Sequence, residues 1–438
     1  MTGAAAGHPP ADPGPSTGSG AGRDRPAAAA AVADAHRREW AFVLAATARV
    51  AGDLDLAEEC VQDAYVSALE AWSQQGVPRN PGAWLTTTAR RRAIDLLRRD
   101  TTLRRKLPLL VTPDEPTAQP AVDEGCGVIP DDRLRLVFTC CHPALAREAQ
   151  VALTLRLVCG LSTAEIARAF LVPEPTMAAR VTRAKKKISA ARIAYRVPDA
   201  AELPDRLDAV LTVVHLLFTT GHTAPGGDGL VRRDLVDRAA GLARMLCALM
   251  PDEPEVRGLL ALILLTDARR ATRCAPDGRL LLLDEQDRGQ WDRPAIDEGL
   301  RLVREALRGG RPGRFALQAA IAALHAQAPS YPATDWAQIV RLYDLLGRAW
   351  LSPVVALNRA VALAMAAGPG AGLAELARLE ADPRLAGYRY LPAAKADLLR
   401  RLGRADEAAA AYRAALELTD NHAERQFLAG RLAEVAGR

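Results

Sequence analysis

Apolar positions along this chain fall at steps of three and four. Leu54, Ala57, Val61, Tyr65, Ala68 and Trp72 recur at that spacing and predict a helix with one buried stripe. Leu85, Ala89, Ala93 and Leu96 or Leu97 repeat the pattern in a helix that opens at Asn80-Pro81, a cap residue followed by proline. Further along, Ser162 and Glu165 have the form of a capping box ahead of inward-facing Ile166 and Ala167. A break at Val172-Pro173 precedes another helix, with Met177, Val181, Ala184 and Ile188 on its inner side. Almost no stretch alternates as a half-buried strand would, so the expected fold class is all-α.

Glycine and proline divide the pattern into parts. Residues 1–33 hold Ala, Gly and Pro with few apolar anchors, and disorder is expected there. A helical block covers 34–106. Residues 107–129 carry prolines at 108, 113, 116 and 120 and read as a flexible linker. A second block covers 130–197, and Pro198 and Pro204 mark a junction before a long Ala/Leu-rich series over 198–438. In that series Ala396, Leu399, Gly403, Ala408, Tyr412 and Ala415 match much of the tetratricopeptide spacing. Gly368 precedes Gly403 by 35 residues, although Pro392 stands where tryptophan is usual. A helical-repeat extension is the expectation, with a plain bundle as the alternative. Because repeats contact mainly their neighbours, a cut at Pro198 is expected to leave the preceding domains folded.

Composition agrees with helices: of 438 residues 49% are hydrophobic, 25% charged and only 4% aromatic. The net charge of +5 is uninformative, but its distribution is not. Asp53 to Glu70 carries six acids and no base; Arg90 to Lys106 carries eight bases against Asp95 and Asp100; Arg180 to Arg196 carries seven bases and no acid. Two basic segments and one acidic one point to nucleic acid and a basic protein partner. Seven cysteines without a CxxC spacing argue against a disulfide framework or a zinc site, and Cys140-Cys141-His142 reads as small residues on a partly buried helix. No metal or cofactor is expected. With no apolar run long enough to span a bilayer and no signal core, the expected location is the cytoplasm, away from membranes.

Three constellations carry the chemistry. Asp55, Glu59 and Asp63 stand four apart, with Glu58 and Gln62 beside them, and like charges at that spacing repel. Helix N-terminal preference accounts for the earlier acids but not for Asp63; a docking face for a basic partner accounts for all. In the next helix Arg90, Arg91, Arg92, Arg98 and Arg99 point outward, suited to phosphates, with Asp95 placed to order them and Trp84 near enough to stack on an unpaired base. The third has the layout of a helix-turn-helix. Glu174, Thr176, Ala179, Arg180, Arg183, Lys186 and Lys187 lie outward on its second helix, the first of these toward base edges and the later bases along phosphates.

Together these residues resemble the extracytoplasmic-function sigma factors. Residues 53–65 are similar to the segment that docks on the clamp helices of the polymerase largest subunit. Residues 80–99 are similar to the segment that opens and reads the −10 element. The helix-turn-helix is similar to the domain that reads the −35 element. Leu171 stands where that family carries a turn glycine and Pro175 where it carries a small residue, so an altered turn is expected. Residues 131–145, 249–273, 280–293 and 352–365 resemble the long subgroup with a tetratricopeptide-like C-terminal extension. The resemblance implies a non-catalytic initiation factor whose partners are core RNA polymerase, promoter DNA and a regulatory protein or ligand at the extension. The rival is a one-component regulator with a ligand-sensing repeat domain, which needs neither the acidic face nor the Trp84 helix. Catalysis is the weakest reading, since His215, His222 and His325 have no carboxylate or cysteine at ligand spacing and residues 284–288 read as a solvated turn.

Overall fold

The protein is described by a computed structural model covering residues 24–437, apart from 107–131, 171, 200, 225, 228, 229 and 309. The expected linker and Leu171 therefore lie outside the described residues. The chain forms two compact units, divided near Asp123.

The first unit holds three long helices, α1 (Asp24–Ala51), α2 (Leu54–Gln75) and α3 (Pro81–Lys106), each packed on the other two. Their facing sides are rich in alanine, which lets the backbones approach: Ala45, Ala57, Ala68, Ala89 and Ala93 are all sealed beside Val43, Leu44, Val61 and Leu85. Asp53 caps α2 by accepting from the N–H groups of Asp55 (2.8 Å) and Leu56 (2.9 Å). Asn80 caps α3 through the N–H of Ala83 (3.0 Å). Helix α1 begins ten residues before the expected start, and Ala28 and Val32 are buried. A run of alanines has little amphipathic contrast but high helix propensity, so this portion of the expected disordered tail is ordered by packing.

The second unit begins with α4 (Asp132–Cys140) and α5 (Arg147–Leu153), which runs on through a wider π-type turn at Thr154–Val158. The helix-turn-helix follows as α6 (Thr163–Ala169) and α7 (Glu174–Ala190). The capping box forms: the Glu165 carboxylate accepts from the Ser162 N–H and hydroxyl, both at 2.7 Å. Cys140, Cys141 and Cys159 are buried in this bundle, and burial pushes the thiols of Cys141 up to about 11 and Cys159 to about 12. These cysteines act as packing residues here.

Eleven helices follow among the described residues: α8 (Leu203–His222), α9 (Arg233–Leu249), α10 (Pro254–Asp267), α11 (Arg293–Leu307), α12 (Arg314–Gln327), α13 (Trp336–Ala349), α14 (Pro353–Ala367), α15 (Pro369–Leu379), α16 (Tyr390–Arg401), α17 (Ala405–Glu417) and α18 (His422–Ala436). Apolar α10 is the hub, packed against α8, α9, α11 and α12. From α12 onward each helix packs on the next, and the residues at tetratricopeptide spacing form a core, with Ala396, Leu399, Ala408, Tyr412 and Ala415 buried.

Two features depart from the sequence reading. Pro198 is buried, and α8 packs on α4 and α5, with Arg206 donating to the Phe138 carbonyl (2.9 Å) and Arg147 to that of Ala209 (3.3 Å). Arg238 of α9 donates to the Cys159 carbonyl. The helix-turn-helix block and the extension thus share one body, and Pro198 marks a turn within it. The extension also closes on itself. Gly226–Gly227 pairs in parallel with Asp420–Asn421, and the Asn421 amide donates to the Ala224 carbonyl at 3.2 Å.

Candidate nucleic-acid and protein interfaces

On α2 the structure separates the five acidic-face residues. Asp55, Glu59 and Gln62 are exposed along one line of the helix. Glu58 is not: it retains 5% exposure and accepts from Gln62 Nε2 at 3.4 Å. Position 58 stands four after Leu54 and three before Val61, so it lies on the buried stripe, which corrects its assignment to an exposed docking face. Asp63 is half-exposed and pairs with Arg92 of α3 at 3.0 Å. Its charge is therefore met within the unit, and Arg92 is held by α2. The exposed line continues through Val66, 58% exposed, and Leu69, 42% exposed. Sequence reasoning missed these two, although steps of four and three from Gln62 lead to them. An acidic upper half and an apolar lower half thus form one ridge.

On α3, Arg91, Arg92, Arg98 and Arg99 are exposed and Arg90 is half-buried. Asp95 is exposed and pairs with no arginine among the described residues, so it does not order them. Trp84 is half-buried and meets Trp72 edge to face, with ring centroids 5.7 Å apart. That contact holds the Trp84 indole against α2 while leaving the side chain partly exposed. Thr86, Thr87 and Thr88 each donate to the carbonyl four residues back (2.7 to 2.9 Å), which keeps their hydroxyls on the helix.

On α7, Met177, Val181, Ala184 and Ile188 face inward, as the spacing predicted. Glu174, Pro175, Thr176, Ala178 and Ala179 are exposed on the first turns, and Arg180 is half-buried. Arg183, Lys186 and Lys187 are exposed further along. None of Arg180, Arg183, Lys186 and Lys187 forms an ion pair among the described residues. Seventeen residues span roughly 25 Å at 1.5 Å per residue, so small side chains lead and bases follow along one rod. Pro175 sits in the first turn, where its missing N–H leaves no helix bond unmade.

A helix-turn-helix whose second helix carries a row of outward bases, Arg180, Arg183, Lys186 and Lys187, has the form of a DNA-binding unit. Its pairing with a three-helix unit carrying an acidic ridge and an arginine helix defines a promoter-directing transcription factor. Comparison with known proteins agrees. Residues 36–102 match the family Sigma-70 region 2, and residues 135–188 match Sigma-70, region 4. Residues 206–307 match DUF6596, a family of unknown function. An uncharacterized protein of Rhizobium meliloti (strain 1021) is 43% identical over 395 residues, covering 90% of this chain and 93% of the relative. The chain belongs to the sigma-70 family, as an extracytoplasmic-function-like sigma factor with a C-terminal extension. It is an alternative sigma factor that directs promoter recognition and transcription initiation by RNA polymerase, which excludes the one-component regulator.

Proposed function

We propose that the ridge of Asp55, Glu59, Gln62, Val66 and Leu69 docks on core polymerase, while α3 holds the melted −10 element and α7 reads the −35 element. On this reading Arg90, Arg91, Arg98 and Arg99 neutralise phosphates, and the outward part of Trp84 stacks on an unpaired base. Arg92 acts through its ion pair, joining the docking helix to the DNA-holding helix. Thr176 and Ala179 approach base edges, with Glu174 at the helix start, and Arg180, Arg183, Lys186 and Lys187 follow the backbone. The protein itself forms no phosphodiester bond and needs no cofactor; the polymerase supplies the chemistry. It works in the cytoplasm, where its template is, and the extension tunes initiation in response to a protein or ligand.

The observation that carries this reading is the separation of roles on the surface: a row of outward bases on α7 (Arg180, Arg183, Lys186 and Lys187), and an acidic-apolar ridge on α2. The test follows promoter opening by permanganate reactivity of thymines. Trp84→Ala should spare duplex binding and depress that reactivity several-fold. Normal reactivity in a Trp84→Ala complex would make Trp84 a packing partner of Trp72 and nothing more.

A further inference from the structure

A second set of arginines lies in the segment that joins α10 to α11. Arg269 is deeply enclosed yet retains some exposure, flanked by Arg273 and Arg288, and its guanidinium makes no hydrogen bond or ion pair among the described residues. Burial and those two like charges hold it down to about 10. Arg288 is anchored on one side: Nη1 donates to the carbonyls of His325 (2.7 Å) and Ala328 (2.9 Å), and its plane lies 4.5 Å over Trp291. Its Nη2 is buried without a partner, and so is Nδ1 of His325. Arg269 and Arg288 both act on His325, which burial and these charges hold at about 4. Arg273 donates to the His222 carbonyl and to Thr223 Oγ1. The acids that reach Arg273 are committed elsewhere, Asp267 to Arg270 (2.5 Å) and Glu424 to Arg389 (2.9 Å).

A guanidinium does not shed its proton near neutral pH, so this cluster stays charged. Enclosed like charges without a counter-charge are costly, and arginine forks match oxyanions in geometry. Beside Arg288 opens a cleft of about 590 Å³, lined also by Asp284, Gln286, Asp287 and Tyr331. That size falls among small-molecule sites, which run roughly 300–1,000 Å³. We propose that the extension binds a phosphate group between Arg269, Arg288 and His325 Nδ1, with the cleft taking the organic part of a phosphorylated small molecule. Asp284 and Asp287, both exposed at the cleft, suit a hydroxyl or amine on that part and keep the phosphate at the arginine end.

Phosphate binding at this site is measured without transcription. The full-length chain is studied by equilibrium dialysis and thermal melting with orthophosphate, with ribose 5-phosphate, and with sodium chloride at matched ionic strength. Saturable binding and a melting point raised by a few degrees with phosphate, and not with chloride, are expected. Tighter binding of the ester assigns the cleft to the organic part; equal binding overturns that role for the cleft and leaves a free-phosphate site. Arg269→Met should lose binding at least tenfold while melting, without ligand, at or above the unaltered chain, because one repelling charge is gone. Arg269→Lys, which keeps the charge but not the fork, should fold and bind more weakly. Absence of saturable binding, or unweakened binding by Arg269→Met, would overturn the proposal. So would a ligand-free Arg269→Met that melts lower, since Arg269 would then be holding the fold.

Discussion

Ending the chain after residue 200 removes α8 and everything beyond it, and the structure predicts that the helix-turn-helix block then unfolds while α1 to α3 persist. Helix α8 carries Leu207, Val210, Leu211 and Val214, all nearly sealed, and it is packed on α4 and α5 as well as on α9 and α10. Exposing the surface of two or three large apolar side chains costs about 1.5–3 kcal/mol each. The hydrogen bonds from Arg206 to Phe138 and from Arg147 to Ala209 add about 1 kcal/mol apiece. The sum, roughly 5–11 kcal/mol, matches the whole stability of a typical domain, about 5–15 kcal/mol. Hydrogen exchange read by mass spectrometry compares residues 1–200 with the full chain. Protection in α1 to α3 should be unchanged, and protection in α4 to α7 should fall to that of an unfolded chain. Native-like protection of α7 in the shortened chain would refute the reasoning and restore Pro198 as a domain boundary.

Further outcomes follow from the same contacts. Asp55→Lys with Glu59→Lys should weaken core polymerase binding about tenfold or more without changing the melting point; co-purification at the yield of the unaltered chain would remove the ridge from the docking account. Arg180→Ala with Arg183→Ala should reduce the slope of log affinity against log salt by about 2 on −35 duplexes, since each phosphate contact contributes about 0.9. His215 is held at about 4 by burial and by Arg314, against 6.5 when unfolded. Above pH 6.5 neither state takes a proton. Below it the unfolded chain does and the native one refuses, so stability should fall by about 1.4 kcal/mol per pH unit down to about pH 4. Melting followed across that range should show a shallower slope in His215→Phe.

Local spacing made much of this legible. The inner stripes of α2, α3 and α7, both caps and the capping box could be read from residues a few positions apart, because helical periodicity is a local property. Glu58 was legible too, since it stands on the Leu54–Val61 line, but its charge drew it to the wrong face. What local spacing could not reveal joins distant positions. The Asp63–Arg92 pair links residues 29 apart, and the pairing of Gly226–Gly227 with Asp420–Asn421 joins the two ends of the extension across some 190. Prolines at 198 and 204 look like a domain boundary when only chain direction is considered. The packing of α8 on α4 and α5 appears only once buried surfaces are compared. The early start of α1 was hidden for another reason: alanine forms helices readily but gives no stripe to see.

The central claim is that this chain brings core polymerase to promoters. Run-off transcription with purified core enzyme, on a template carrying the promoter of the chain's own gene, tests it most directly. A discrete transcript that requires the full-length chain, and that disappears with Asp55→Lys/Glu59→Lys and with Arg180→Ala/Arg183→Ala separately, is the predicted result. Full-length transcript from both double variants at the level of the unaltered chain would contradict the account.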